Sequence, residues 1–333
     1  MNEKLILPNA PAIPGLAFRC FRGEADYPHI VAIINAGNSI AHIDKVVSVE
    51  GVTSGYRHLE NCDTQKDMLF AEVDGQPVGY GRIWWTDQND GTRLYELIGY
   101  LHPHWRGKGI GSAMWAAAEA RAREIAAGHP KEMPKSFQVT SEDTDATRIA
   151  LLEKFGYQPV RYGTGMVRNL SEPFPEALLP PGFEVRPVTP EHWRPIFEAS
   201  NEAFRDHWGS RDESEADYQR SLEEKIFHPE LWMVAWEGDQ IASVIHNFVN
   251  EEENDEFHRK RGYTEGICTR RPWRKRGLAR ALLVRSMMMF KDMGMTETAL
   301  GVDSQNISGA FRLYEGVGYR KVNQQILYRK PME

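Results

Sequence analysis

Trp105-Arg106-Gly107-Lys108-Gly109-Ile110-Gly111, in the first half of the chain, returns in the second half as Trp273-Arg274-Lys275-Arg276-Gly277-Leu278-Ala279. The flanks repeat in the same order. Gly75-Gln76-Pro77-Val78-Gly79 upstream matches Gly238-Asp239-Gln240-Ile241-Ala242, and Phe155-Gly156-Tyr157 downstream matches Val317-Gly318-Tyr319. The period is far beyond the roughly 20–50 residues of solenoid repeats, so the chain reads as two copies of one domain. Its 333 residues suit two domains of ordinary size. Between the copies, Ser171–Gly182 holds Pro173, Pro175, Pro180 and Pro181, which disfavour helix and suit a stiff extended connection. The expected division is a first domain over 1–170, a linker over 171–182 and a second domain over 183–333.

Both copies read alike, and the second is the clearer. Phe183-Glu184-Val185-Arg186 alternates as a short strand, and Thr189-Pro190-Glu191 carries the cap, first-turn proline and acid of a helix start. Helices are expected to about Lys225. Trp232–Trp236 and Ile241–Val249 read as strands joined by a hairpin at Gly238-Asp239, and Tyr263–Thr269 as a further strand. Leu278, Leu282, Leu283, Met287 and Phe290 recur at helical spacing; Thr298–Val302 follows as a strand, Ser308–Gly316 as a short helix and Val322–Arg329 as a terminal strand pair. An early hairpin followed by strands that alternate with helices argues a mixed α/β sheet.

Charge and cysteine content narrow the functions available. With 40 Lys+Arg against 47 Asp+Glu the net charge is -7, so a phosphate backbone is a poor default partner and no nucleic-acid role is expected. No apolar run nears the ~18 residues that span a bilayer, and Leu5-Ile6-Leu7 stops at Pro8, too short for a secretory segment. Cys20, Cys62 and Cys268 are odd in number and far apart, which suggests neither a disulfide framework nor a metal site and suits a reducing cytoplasm.

The repeated turn carries the chemistry. A helix N-terminus presents unpaired N–H groups and partial positive charge, and so binds phosphate oxygens. Gly107, Gly109 and Gly111 in the first copy, and Gly277 and Ala279 in the second, let backbone approach a ligand; Arg106, Lys108, Arg274, Lys275, Arg276 and Arg280 add charge. A P-loop is excluded, because His102 stands where its first glycine belongs and Gly109 where its Ser/Thr belongs. A Rossmann fingerprint is excluded by Ser112 at its third glycine.

Arg106-Gly-Lys-Gly-Ile-Gly111 and Arg274-Lys-Arg-Gly-Leu-Ala279 both fit the pattern (Q/R)xxGx(G/A), and with the strand before and the helix after they resemble the GNAT superfamily of N-acetyltransferases. Asn306 to Tyr319 resembles that superfamily's second signature. The likeness covers nearly the whole chain as two tandem domains, an arrangement similar to the mycothiol synthase family. It implies a mostly antiparallel mixed sheet flanked by helices, acetyl-CoA as acyl donor with no metal, and direct transfer of acetyl to an amine. It further implies that Ile267, Cys268 and Thr269 pair with pantetheine, that Arg274, Lys275, Arg276, Gly277, Leu278, Ala279 and Arg280 hold the pyrophosphate, and that Asn306 contacts CoA. Arg106, Gly107, Lys108, Gly109, Ile110, Gly111 and Ser112 form the equivalent set in the first copy.

Acetyl transfer to an amine requires a neutral amine, a stabilised oxyanion and a proton for the leaving thiolate. Tyr314 falls where the resemblance places the general acid, five residues before Tyr319. Aligning Gly156-Tyr157 on Gly318-Tyr319 puts Leu152 opposite Tyr314 and Thr144 opposite Asn306, so the second copy is expected to catalyse and the first is not. Whether the first binds CoA stays open. Glu265 is the candidate base, sharing a strand face with Ile267 and Thr269 unless a bulge intervenes, with a structural salt bridge as the alternative. Leu97 stands opposite it. Cys268 reads as a buried small hydrophobe rather than a nucleophile, its neighbouring backbone N–H groups being better placed to polarise a thioester.

The acceptor is expected to be a small molecule with a primary amine. The acidic run Asn250–Glu256 would draw a cation, or is tied to its own basic continuation His258-Arg259-Lys260-Arg261. Phe204, His207, Trp208 and Tyr218 belong to the segment expected to wall the acceptor pocket, with core packing as the alternative, and Met287-Met288-Met289 reads as core. Amino-thiol acetylation and a silent acyl-CoA-binding module are the competing functions, and homodimerisation is left open.

Overall fold

The structure, a computed structural model, describes residues 5–306 and 309–332. It divides into two compact units, Met1–Arg161 with Gln325–Glu333, and Tyr162–Gln324. The first unit carries β1 (Leu16–Arg19), α1 (Tyr27–Ile40), α2 (Val49–Arg57), β2 (Met68–Val73), β3 (Gln76–Asp87), β4 (Arg93–Leu101), α3 (Ile110–Ala127), β5 (Lys135–Glu142) and α4 (Ala146–Lys154). β6 (Gln158–Asn169) then leads into the second unit. There follow β7 (Glu184–Val185), α5 (Pro190–Phe204), α6 (Glu215–Glu223), β8 (Met233–Glu237), β9 (Gln240–Val249), α7 (Glu251–Glu256), β10 (Arg261–Thr269), α8 (Leu278–Asp292), β11 (Glu297–Asp303) and α9 (Ala310–Gly316). β12 (Arg320–Pro331) returns the chain to the first unit, as a single strand rather than the expected pair. Ser308, expected to start α9, lies outside the described residues.

Each unit is a mixed, mostly antiparallel sheet flanked by helices. The first has strand order β1-β2-β3-β4-β5-β12 and the second β6-β11-β10-β9-β8-β7. The parallel pairs are β4 with β5 and β10 with β11.

The division departs from the expected one. β6 leaves the first copy and pairs with β11 from Gly163↔Asp303 to Asn169↔Glu297, while β12 pairs with β5 from Gln325↔Glu142 to Pro331↔Ser136. Each sheet is thus closed by the strand that follows the other copy's last helix. Ser171–Gly182 is not a free linker either: Phe174, Ala177 and Leu179 pack on the second unit's core beside buried Met166 and Leu170. Apolar side chains set between the prolines dock the segment, and burial of their surface outweighs its extended stiffness.

In the second unit α8 lays Leu278, Leu282, Leu283, Met287 and Phe290 against Ala235, Ala242 and Ile245. α5 covers Val234, Val244 and Cys268 with Ile196, Ala199 and Ala203. Cover on both faces explains the nearly continuous apolar runs of β8 and β9. The methionine triplet divides as helical geometry requires, Met287 being buried, Met289 packed against the core and Met288 half exposed.

Candidate functional site

β10 runs beside β11 only from Arg261↔Glu297 to Tyr263↔Ala299, after which the two strands part. On its other edge β10 slips register against β9: Glu265 lies opposite His246, and Cys268 opposite Val244. One extra residue sits between those pairs, a β-bulge. Gly266 makes it possible. Its φ is +57°, and a Cβ there would lie 2.4 Å from His246 Nδ1. The bulge overturns the expected parity, because Glu265 now shares its face with Cys268, while Ile267 and Thr269 turn to the other. An isolated glycine within a strand was the signal in the sequence for it.

Glu265 reaches across the split, where its Oε1 accepts the Gly301 N–H at 2.9 Å. Tyr314 on α9 is only 5% exposed, and burial, followed by the charge of Glu265, lifts its pKa above the ordinary tyrosine value. Its hydroxyl therefore stays protonated at neutral pH. The Tyr319 ring stands edge-on 6.3 Å away, and burial pushes that phenol up to about 12. Asn306 sits in the turn between β11 and α9, its N–H donating to the Asp303 carbonyl at 3.0 Å.

The repeated turns superimpose in backbone conformation. Gly109 and Gly277 are left-handed N-caps of α3 and α8, and neither helix start is capped by a side chain, so the first-turn N–H groups face outward. Gly107 and Lys275 share the left-handed conformation at φ 74° and 62°. The two motif arginines behave alike: Arg106 Nε donates to the Leu101 carbonyl at 3.3 Å and Arg274 Nε to the Thr269 carbonyl at 2.9 Å. Arg274 also holds Asp206 at 2.6 Å and the Ala203 carbonyl at 3.1 Å, and Arg106 holds Asp145 at 3.2 Å. Both guanidiniums thus brace the turn instead of standing open to a phosphate, and the Thr269 carbonyl is engaged. Asp206 was not singled out in the sequence, because nothing local marks a carboxylate that meets its arginines 65 and 68 residues away.

The remaining charged members differ in freedom. Lys275 and Arg276 are exposed, with Arg276 lying 3.3 Å from Glu237. Arg280 leans toward α9, where it reaches the Gly316 carbonyl at 3.4 Å. Leu278 is buried and contributes only its backbone, while Ala279 is half-buried. In the first unit Lys108 lies over the Trp105 ring at 4.4 Å, Ile110 is buried, and Ser112 Oγ accepts from Lys154 at 3.4 Å.

The first unit has no counterpart of Glu265, Gly266 or Tyr314. β4 pairs with β3 without a register shift, Leu97 is buried where Glu265 stands in the other copy, and Leu152 is fully buried in the place of Tyr314. It does hold a cavity of about 540 Å³ lined by Gly99, Leu101, Arg106, Gly109, Ser112 and Arg148, among others.

Other candidates resolve by packing. Cys268 is buried, its Sγ 3.8 Å from Ser200 Oγ, and burial pushes its thiol up to about 11, so it is no thiolate nucleophile. The acidic run folds as α7, capped by Asn250, with Glu253 accepting from Tyr263 and Arg259, and Glu252 paired with Lys225. Tyr218 stacks edge-on with Phe197 and beneath Arg194, Phe204 lies beside His207, and Trp208 is partly exposed.

Two stretches, 40–157 and 193–319, match the Acetyltransferase (GNAT) family. The chain belongs to this family. A mycothiol acetyltransferase of Thermobispora bispora is 26% identical over 238 residues, 71% of this chain and 75% of its own length. A GCN5-related N-acetyltransferase from Sphaerobacter thermophilus is 25% identical with a TM-score of 0.70, covering 98% of this chain and 97% of that one. A tandem GNAT protein from the clavulanic acid biosynthesis pathway shares the fold at 14% identity and a TM-score of 0.68, over 95% of this chain and 98% of that one. This GNAT protein is therefore an acetyl-CoA-dependent acyltransferase of two tandem domains. Among its described residues no helix is long and apolar enough to cross a membrane.

Proposed function

We propose that the second unit moves the acetyl group of acetyl-CoA to the primary amine of a small-molecule acceptor, and that the first unit does not. One observation carries the reading. The Glu265 carboxylate spans the gap where β10 and β11 part, beside the bulge at Gly266, its charge reaches the buried Tyr314, and the first unit has none of the three.

The second unit's residues fit acetyl-CoA as substrate. The first-turn N–H groups of Leu278, Ala279 and Arg280, left uncapped at α8, suit a pyrophosphate, and a Cβ placed on Gly277 would meet nothing within 4 Å. Lys275 and Arg276 add exposed charge beside it. The parted strands leave backbone at Ile267 for amide pairing, while the Cys268 carbonyl already accepts the Ser243 hydroxyl at 2.7 Å; Asn306, in the turn after β11, is the further candidate contact. Acetyl-CoA supplies an activated thioester and a thiolate leaving group. Glu265 takes the proton of the amine, directly or through water, and Tyr314 gives its proton to the departing sulfur. N–H groups at the bulge steady the charge that develops on the carbonyl oxygen. Burial raises the Tyr314 pKa further and so keeps the donor protonated above the ordinary tyrosine range as well as at neutral pH.

The likeness to mycothiol acetyltransferases favours one narrower reading, an acceptor that carries both an amine and a thiol. The test is transfer of labelled acetyl, followed by mass spectrometry, across polyamines, aminoglycosides, amino acids, arylamines, amino sugars and amino-thiols. An acetylated amine whose formation is lost in Tyr314→Phe supports the proposal. Acetyl-CoA binding with no product from any amine would instead support a silent binding module.

A further inference from the structure

β4 and β5 part after Glu96↔Gln138, as β10 and β11 part after Tyr263↔Ala299. The first unit therefore has a split of its own, beside the cavity of about 540 Å³ described above, and one side chain that lines that cavity bridges the split. Arg148 of α4 donates from one terminal nitrogen to the Gly99 carbonyl of β4 at 2.7 Å and from the other to the Thr140 carbonyl of β5 at 3.3 Å. Its flat fork bridges both walls and satisfies backbone acceptors that the parted strands no longer satisfy for each other.

The bridge is well held. The guanidinium lies 4.7 Å from the Tyr100 ring centroid, and its Nε is 3.9 Å from Asp145, with the side chain 16% exposed. Asp145 also accepts from the backbone N–H of Arg148 at 3.1 Å and from Arg106 at 3.2 Å, so strap, turn and helix start share one carboxylate.

The register that sets Trp105 opposite Trp273 sets Gly99 opposite Ile267, the backbone proposed above to pair with the thioester arm. The register that sets Gly156 opposite Gly318 sets Arg148 opposite Ala310, whose methyl group cannot bridge anything. A second difference lies at the turn. A Cβ on Gly109 would touch Pro11 at 3.4 Å, whereas one on Gly277 would meet open space.

We propose that Arg148 is a specificity-determining residue that occupies the first unit's split in place of a thioester arm, so that each chain takes one acetyl-CoA, in the second unit. Entry of an acyl-pantetheine chain between β4 and β5 would strip Arg148 of both carbonyls, leaving only Asp145 and the Tyr100 ring to hold a guanidinium that is 16% exposed. The inference rests on the second unit being the acetyl-CoA site.

Calorimetric titration of the full-length chain with acetyl-CoA tests both. The expected stoichiometry is one for the wild type, two for Arg148→Ala, none for Gly277→Asp and one for the double variant. A wild type that binds two, or an Arg148→Ala that still binds one, overturns the plug. A single wild-type site that survives Gly277→Asp overturns the assignment to the second unit instead. Should Arg148→Ala not fold, hydrogen exchange of the wild type decides. Saturating acetyl-CoA should protect 264–282 and leave 96–114 unchanged, and protection of both segments sinks the proposal.

Discussion

Glu265 and Gly301 face each other across the gap where β10 and β11 part, the carboxylate of one accepting the N–H of the other at 2.9 Å. The base proposed for the amine is therefore oriented by the very strand whose departure opens the site. Tyr314 feels the same carboxylate, and the charge of Glu265 adds to burial in keeping its hydroxyl protonated.

Tyr314→Phe should lower kcat about a hundredfold, in the range of a lost general acid, with the dissociation constant for acetyl-CoA nearly unchanged. Since the tyrosine pKa is raised, its proton is retained through and above the ordinary range. The wild-type rate should show no alkaline decline from this group below about pH 10. An unaltered kcat in the variant would remove Tyr314 from the mechanism.

Gly266→Ala should remove the bulge, since the added Cβ would lie 2.4 Å from His246 Nδ1 on a backbone with φ +57°. A destabilisation of about 2 kcal/mol follows from strain and overpacking together, with acetyl transfer falling below detection. Chemical denaturation and a turnover assay check the two effects separately, and an active, stable variant contradicts the bulge's assigned importance.

Lys275 adopts at φ 62° the conformation that its counterpart Gly107 adopts at 74°. Lys275→Gly relieves the side chain's left-handed strain, less the extra chain entropy of glycine, for a net gain of about 0.5–1 kcal/mol. The melting temperature should rise by roughly 2 °C while KM for acetyl-CoA increases several-fold through loss of a cation. A lower melting temperature would show that the lysine is not strained.

Hydrogen bonds from Arg271 and then Arg274 hold the Asp206 carboxyl well below the usual carboxylate range. A folded-state pKa that is depressed stabilises above the unfolded value, about 3.9, and the benefit is lost as pH falls through the folded pKa. Asp206→Asn should therefore be less stable than wild type at pH 7, with the gap narrowing below about pH 4. The same variant loosens Arg274 and should weaken acetyl-CoA binding. Equal stability across the whole pH range would count against this brace.

Much of this was written locally. The two glycine turns, the hairpins, the apolar spacing of α8 and the Tyr314 signature are fixed by residues close in sequence, whose backbone preferences act before any tertiary contact forms. They specified a duplicated mixed α/β fold and the acetyltransferase family. Charge alone misled at the motif arginines: Arg106 and Arg274 looked like phosphate ligands, yet each spends its donors on a strand's last carbonyl and a distant carboxylate.

The sequence by itself determined the repeat, the helix starts that suit an anion and the copy that carries Tyr314. Only the tertiary structure decided that β6 and β12 each complete the other copy's sheet, that Glu265 turns away from Ile267, and that Arg148 bridges the split beside Gly99. Turns and caps are set by φ, ψ and neighbouring side chains, which a sequence displays directly. Strand order, register and the partner of a buried carbonyl depend on groups dozens of residues apart, and only the folded chain brings them within bonding distance.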